Sequence, residues 1–126
     1  MGEGAGDAGR SATGRAGEDA ALAWYRERGF RTVARNWRCR LGELDLVMER
    51  GDTLVVCEVK ARRGAALGGG YEAVTARKRE RVRRLAEAFL SSTGPDPAAR
   101  RIRFDVASVG FDAAGRPMLH VFVDAF

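Results

Sequence analysis

The sequence predicts an α/β domain with a β-rich centre and flanking helices, in the order helix, three strands, helix, two strands. Three observations carry that prediction. Apolar residues recur at helical spacing over residues 17–28 and again over 75–90. A hairpin pattern runs from Gly42 to Lys60. Ile102, Phe104 and Val106 alternate with Arg103, Asp105 and Ala107 as in a half-buried strand.

At 126 residues and 45% hydrophobic content, the chain suits one domain burying roughly two-thirds of its unfolded surface. No run approaches the roughly 20 apolar residues of a membrane span. The N-terminus lacks the apolar core of a signal peptide, so a cytoplasmic location is expected. Cys39 and Cys57 stand apart without CxxC spacing, which indicates neither a zinc site nor a disulfide framework. The formal net charge is +5, with arginine supplying most of the cations. That balance favours polyanions and bidentate phosphate contacts, but fits DNA, RNA or a ribosomal neighbour equally.

Residues 1–16 are Gly, Ala and small polar side chains without apolar periodicity, which predicts a disordered tail ahead of a single domain over 17–126. Gly17 to Arg28 reads as a helix with Leu22 and Tyr25 on one stripe, closed by Gly29. Glu18 stands four and seven residues before those two, on the core-facing stripe. Its spacing allows either a site-facing carboxylate or a complement to the helix dipole. Phe30 to Arg40 reads as a strand. There Trp37 is either buried among solvated arginines or a base-stacking ring beside Arg35, Arg38 and Arg40.

The stretch GELDLVMERGDTLVVCEVK, Gly42 to Lys60, is the most informative in the chain. With Gly51-Asp52 as a two-residue loop, Arg50 pairs with Thr53, and counting outward sets Asp45 opposite Glu58. Side chains alternate across a strand, so Glu58 and Lys60 share a face, and the same register brings Asp45 to it. Like charges directly opposed on paired strands destabilise a sheet. A divalent cation between the carboxylates would offset this, because Mg²⁺ takes one or two protein carboxylates together with water and phosphate oxygens. Lys60 could then stabilise a nucleophile or a charge growing on a phosphate oxygen, the parts that metal-assisted phosphodiester hydrolysis requires. The competing reading is a solvated face. Leu54-Val55-Val56-Cys57 is apolar on both faces and speaks against it. Glu43, two residues before Asp45, is either a strand-entry charge or a further carboxylate of the site.

Asp45 followed by Glu58-Val59-Lys60 resembles the core of the PD-(D/E)xK nuclease superfamily, with Leu44 where its motif has proline. The wider run resembles the YraN-like family of small bacterial endonuclease-like proteins, related to archaeal Holliday-junction resolvases. The matching positions are Gly17-Glu18, Gly29-Phe30, Asn36, Gly42 to Leu46, Glu58 to Arg62, Lys78, Arg103 to Val106 and Ala125-Phe126. The resemblance implies a restriction-endonuclease-like mixed β-sheet flanked by helices, formed by residues 17–126 as one endonuclease-like domain. It also implies Mg²⁺- or Mn²⁺-dependent cleavage of structured or branched DNA, with Asp45, Glu58 and Glu18 at the metal and Lys60 as the catalytic lysine. A homodimer follows by analogy with resolvases.

After Lys60, Ala61 to Gly70 is too glycine-rich for regular structure and reads as a loop in which Arg62 and Arg63 could hold the nucleic acid. Its glycines lack the spacing and lysine of a phosphate-binding loop. Thr75 caps a helix to about Leu90, with Val82, Leu85, Ala86, Phe89 and Leu90 as its apolar stripe. Arg77, Arg79, Arg81, Arg83 and Arg84 occupy the other side, either as a solvated face or as a phosphate-tracking surface; Arg77 and Arg81 are the candidate contacts. Lys78 precedes Val82, Leu85 and Phe89 by four, seven and eleven residues, so it points at the sheet as a phosphate-binding residue or a snorkelling lysine. Gly94-Pro95-Asp96-Pro97 marks a loop, and Met118 to Val123 a last strand. Asp105 is expected to pair with an arginine, and His120 to be structural. A rival to the nuclease reading is a non-catalytic nucleic-acid-binding module on the same fold, and a third is a protein that contacts ribosomal RNA. Metal dependence separates them.

Overall fold

The computed structural model describes residues 11–63, 75–92 and 101–126. The elements are α1 (Ala12–Glu27), β1 (Arg31–Cys39), β2 (Gly42–Arg50), β3 (Thr53–Arg63), α2 (Ala76–Ser92), β4 (Arg101–Phe111) and β5 (Pro117–Phe122). The five strands form one sheet in sequence order. β3 and β4 are parallel and every other neighbouring pair is antiparallel. Parallel neighbours cannot be joined by a tight turn, and α2 lies in the connection between them. The fold is therefore a mixed five-stranded sheet flanked by two helices, an α/β arrangement consistent with the restriction-endonuclease-like class.

The helices cover different faces. Ala21, Leu22 and Tyr25 of α1 pack with Leu46, Met48, Val55 and Cys57. Val82, Leu85, Ala86 and Phe89 of α2 pack with Leu44, Val47, Leu54 and Val56. Successive residues of β3 thus enter opposite cores, and Leu54 to Cys57 are all fully buried. This accounts for a strand without polar alternation. Trp37, partly buried, meets Phe89 edge-to-face at a centroid distance of 5.3 Å and packs against the α2-side core, nearer to the buried reading than to an exposed stacking ring.

Two boundaries differ from the sequence expectation. The first helix begins at Ala12 rather than Gly17. Ser11 is its N-cap, its Oγ accepting from the Gly14 N–H at 2.9 Å, and the glycines at 14 and 17 conceal this start. Gly17 answers to a close approach: a Cβ there would stand 2.5 Å from the Ala61 Cβ of β3. The second difference is in β3, which continues through Ala61, Arg62 and Arg63 by pairing with Val109, Gly110 and Phe111 of β4. These three residues are strand, not loop. Of the tail expected to be disordered over 1–16, residues 12–16 belong to the helix; residues 1–10, like the expected loops over 64–70 and 93–99, lie outside the described residues.

Asp105, fully buried, ties the α1 side together. Its carboxylate accepts from Tyr25 Oη at 2.6 Å, from Arg103 at 3.0 and 2.8 Å, and from the Asp124 N–H at 2.9 Å. Its arginine partner is thus Arg103. Burial, with Cys57 and Asp105 adding to it, pushes the Tyr25 hydroxyl far above its ordinary value, so Tyr25 is a permanent donor here.

Candidate active site

The site forms where β2 and β3 part. The antiparallel ladder runs from Arg50↔Thr53 to Leu46↔Cys57, with Gly51 of the two-residue loop at φ 59°, as the hairpin pattern predicts. The next pair outward would be Asp45 with Glu58, but the ladder stops before it. Asp45 Oδ2 instead accepts the backbone N–H of Val59 at 2.8 Å. The expected face-to-face carboxylate pair is corrected to a carboxylate bonded to the backbone of the neighbouring strand.

The cause lies in β1. Arg35 reaches residues of α1, whereas Trp37 packs under α2, although residues two apart on a regular strand share a face. Between them Asn36 has φ 54°. Across the ladder, in the register of Arg35↔Leu46 and Trp37↔Leu44, Leu46 and Leu44 likewise enter opposite cores. Both strands exchange faces at Asn36 and Asp45, and the exchange turns Asp45 toward the end of the β2–β3 ladder.

On β3, Val55, Cys57 and Val59 belong to the α1 side, so alternation sends Glu58 and Lys60 to the α2 side. The ion pair between Lys78 Nζ and Glu58 Oε1, at 3.8 Å, places both there. Lys78 stands in the first turn of α2, as its apolar spacing predicts. Glu58 is only 6% exposed, and its Oε2 is buried with no hydrogen-bond partner. Burial, and next the Asp45 carboxylate, raise its pKa from 4.5 to about 7; Lys78 and Lys60 act in the opposite direction and do not cancel them. Lys60 is held below the ordinary lysine value, first by a hydrogen bond with Lys78 and then by burial. Two carboxylates and two ammonium groups therefore converge.

A divalent cation suits this arrangement. A buried carboxylate oxygen without a donor is rare in native proteins, and a cation beside Asp45 would satisfy it and favour the ionised form of Glu58. Among the described residues, no three or more His, Cys, Asp or Glu side chains gather into a metal-holding group. Asp45 and Glu58 would hold the ion, with water and substrate oxygens completing its shell, as hard, reluctantly dehydrated Mg²⁺ prefers.

Glu18 is placed differently from the expected three-carboxylate set. It is 2% exposed; Arg35 Nε donates to its Oε1 at 3.2 Å and Asn36 Nδ2 to its Oε2 at 3.0 Å. Glu18 faces inward as its spacing predicts, and it meets the site through Asn36, the residue across from Asp45. The sequence reading places Arg35 beside nucleic acid and names Asn36 only among the positions of the resemblance, and assigns neither to Glu18; the local sign was an asparagine inside a strand pattern, a residue type that tolerates positive φ. Glu43 is half-buried, 3.9 Å from Arg38 Nε.

Arg62, Arg63, Arg77 and Arg81 are exposed, the first two at the end of the strand that carries Lys60 and the others on the helix that carries Lys78. His120 is not buried in an apolar strand. It is exposed on the edge strand β5, its ring tilted against that of Phe122 with the centroids 4.2 Å apart. In register it stands beyond Ser108 from Lys60. Among the described residues, no helix is long and apolar enough to cross a membrane.

Comparison with known proteins gives one consistent result. Residues 17–109 match the model described as Uncharacterised protein family UPF0102. A UPF0102 protein of Parafrankia sp. is 53% identical over 96 residues, covering 76% of this chain and 80% of that protein. One from Nocardia farcinica is 46% identical over 110 residues, covering 87% and 85%. One from Pelotomaculum thermopropionicum is 45% identical over 118 residues, covering 93% and 97%. The matched region holds Glu18, Asp45, Glu58, Lys60 and Lys78 together, and on these matches the chain belongs to the UPF0102 family.

Proposed function

We propose that the protein is a metal-dependent nuclease of the PD-(D/E)xK kind that hydrolyses phosphodiester bonds in structured or branched DNA. The observation that carries this reading is the buried, partnerless Oε2 of Glu58 in a cluster with Asp45, Lys60 and Lys78. A protein that only binds nucleic acid gains nothing from two carboxylates where phosphates approach. A metal-assisted hydrolase needs them.

Bound between Asp45 and Glu58, Mg²⁺ or Mn²⁺ would supply Lewis-acid stabilisation of the phosphoryl charge and a more acidic water. The chain's own residues supply the rest. Asp45 is oriented by the Val59 N–H, and Glu58 by its burial between the sheet and α2. Lys60, with its ammonium destabilised by Lys78, steadies the attacking water or the charge growing on the phosphate. Lys78 fixes a phosphate oxygen beside it. Arg35 and Asn36 lock Glu18 as a positioning group behind Asp45. The exposed Arg62, Arg63, Arg77 and Arg81 carry the neighbouring phosphates.

The test is cleavage of labelled linear, single-stranded, flapped and four-way DNAs, and of RNAs, with Mg²⁺ or Mn²⁺ and a chelator control. Wild type is compared with Asp45→Asn and Lys60→Ala. Metal-dependent products that vanish in both variants while binding persists support the nuclease. Tight binding without cleavage, unchanged in the variants, removes hydrolysis and leaves a binding module.

A further inference from the structure

The turn between β1 and β2 is a two-residue loop that exposes an apolar side chain. Cys39 and Gly42 form the closing pair, so Arg40 and Leu41 alone make the loop. Two-residue hairpin loops favour Asn, Asp and Gly, yet Leu41 is 52% exposed, more than any other large hydrophobic residue among those described.

The tip is braced. The Leu41 N–H donates to Cys39 Sγ at 3.4 Å, and Gly42, at φ 141°, lies against the Leu85 side chain of α2. The loop is therefore fixed on the helix, and Leu41 forms one wall of a cleft of about 260 Å³ whose other walls are Arg77, Glu80, Arg81 and Arg84. Glu80 is engaged by Arg84 at 3.0 Å, while Arg40, Arg77 and Arg81 are exposed. An apolar tip thus stands in a cationic ring.

This tip is coupled to the proposed catalytic cluster. Leu41 is four residues before Asp45 on the segment leading into β2, and Arg77 adjoins Lys78 in the first turn of α2. At about 3.3 Å per strand residue, the tip is on the order of 10–13 Å from the carboxylates, a separation that a nucleic acid engaged at the site would span. Proteins that distort DNA set an apolar wedge between base steps while surrounding arginines hold the phosphates.

We propose that Leu41 is such a wedge: it enters the DNA beside the cleaved phosphate, with Arg40, Arg77 and Arg81 gripping the flanking backbone. Resting on the nuclease reading, this makes the preferred substrate DNA whose stacking is already broken, at a branch, flap or mismatch, because insertion there displaces the fewest stacked bases.

The experiment uses full-length protein, a chelator to suppress cleavage, and four-way and linear DNAs carrying 2-aminopurine at successive positions. Wild type and Leu41→Ala are compared for binding by anisotropy and for unstacking by fluorescence. Leu41→Phe serves as the conservative replacement, and thermal midpoints confirm folding. Wild type is expected to give a several-fold fluorescence rise at one or two positions of the branched DNA. Leu41→Ala should lose that rise and bind branched DNA about tenfold more weakly while its affinity for linear DNA changes little. Leu41→Phe should restore the rise. Binding with no unstacking, or equal unstacking by Leu41→Ala, overturns the wedge and leaves the nuclease reading standing. Absence of DNA binding overturns both.

Discussion

Replacing Glu58 by glutamine tests the electrostatics of the cluster without relying on activity. The folded protein holds the Glu58 carboxyl at about 7 against an ordinary 4.5, so between those values the folded state binds more protons than the unfolded one. Stability is then fullest below pH 4.5 and declines as pH rises through 7. At 1.36 kcal/mol per pH unit the decline amounts to ~3 kcal/mol. Glutamine is nearly isosteric and does not titrate. It also forfeits the Lys78 contact at 3.8 Å, a loss of about 1 kcal/mol or less. In chelated buffer, Glu58→Gln should match wild type within about 1 kcal/mol at pH 4.5–5 and exceed it by ~2 kcal/mol at pH 8. That difference is about 8 °C in thermal midpoint for a domain of this size. Saturating Mg²⁺ or Mn²⁺ at pH 8 should raise the midpoint of wild type and leave that of the variant nearly unchanged. Urea or thermal denaturation across pH, with and without cation, provides the measurement. Parallel pH profiles for the two proteins in chelator would refute the argument that a buried, uncompensated carboxylate limits stability.

Substitutions at three further positions address the framework. Gly17→Ala drives a methyl to 2.5 Å from the Ala61 Cβ; overpacking of about 1–3 kcal/mol outweighs the ~1 kcal/mol gained in helix propensity, so urea denaturation should find a net loss. Tyr25→Phe removes one of the donors that hold the buried Asp105 carboxylate and should lower stability by about 2 kcal/mol, and an unchanged urea midpoint would show the bond to be dispensable. Asn36→Ala and Asn36→Gly both lose the donor to Glu18, but only alanine is strained at φ 54°. The glycine variant should be the more stable by about 1 kcal/mol, and equal stability would mean that the backbone relaxes there.

Local pattern made much of this fold legible. The β2–β3 hairpin announces itself through apolar runs around Gly51-Asp52, and its register follows by counting because a two-residue loop leaves no slack. The inward faces of both helices follow from spacing of 3.6 residues. What escaped depends on distant partners. Ala61, Arg62 and Arg63 extend β3 because β4, some 48 residues later, pairs beside them, and nothing in their own composition says so. The early start of helix α1, capped by Ser11, is hidden because Gly17 is needed against Ala61; a glycine placed by a tertiary contact reads in isolation as a helix breaker.

The site was legible to the same limit. Alternation sufficed to set Glu58 and Lys60 on one face, and helical spacing to aim Lys78 at them, since both rules act within one element. Asp45 required a second element. Its position follows from the face exchange that Asn36 introduces in β1, and the same asparagine holds Glu18. One residue in a left-handed conformation thereby links the carboxylate of α1 to the carboxylate of β2. It is also at this point that local consistency breaks. After the apolar run Leu54 to Cys57, β3 turns to Glu58, whose buried Oε2 lacks a hydrogen-bond partner, and Lys78 beside it holds Lys60 below the ordinary lysine value. Cores selected for stability alone avoid both features, because each lowers the folding free energy. Their concentration within one turn of the β2–β3 ladder is the physical argument for a ligand there that carries positive charge on one side and accepts it on the other, as a divalent cation bridging to a phosphate does.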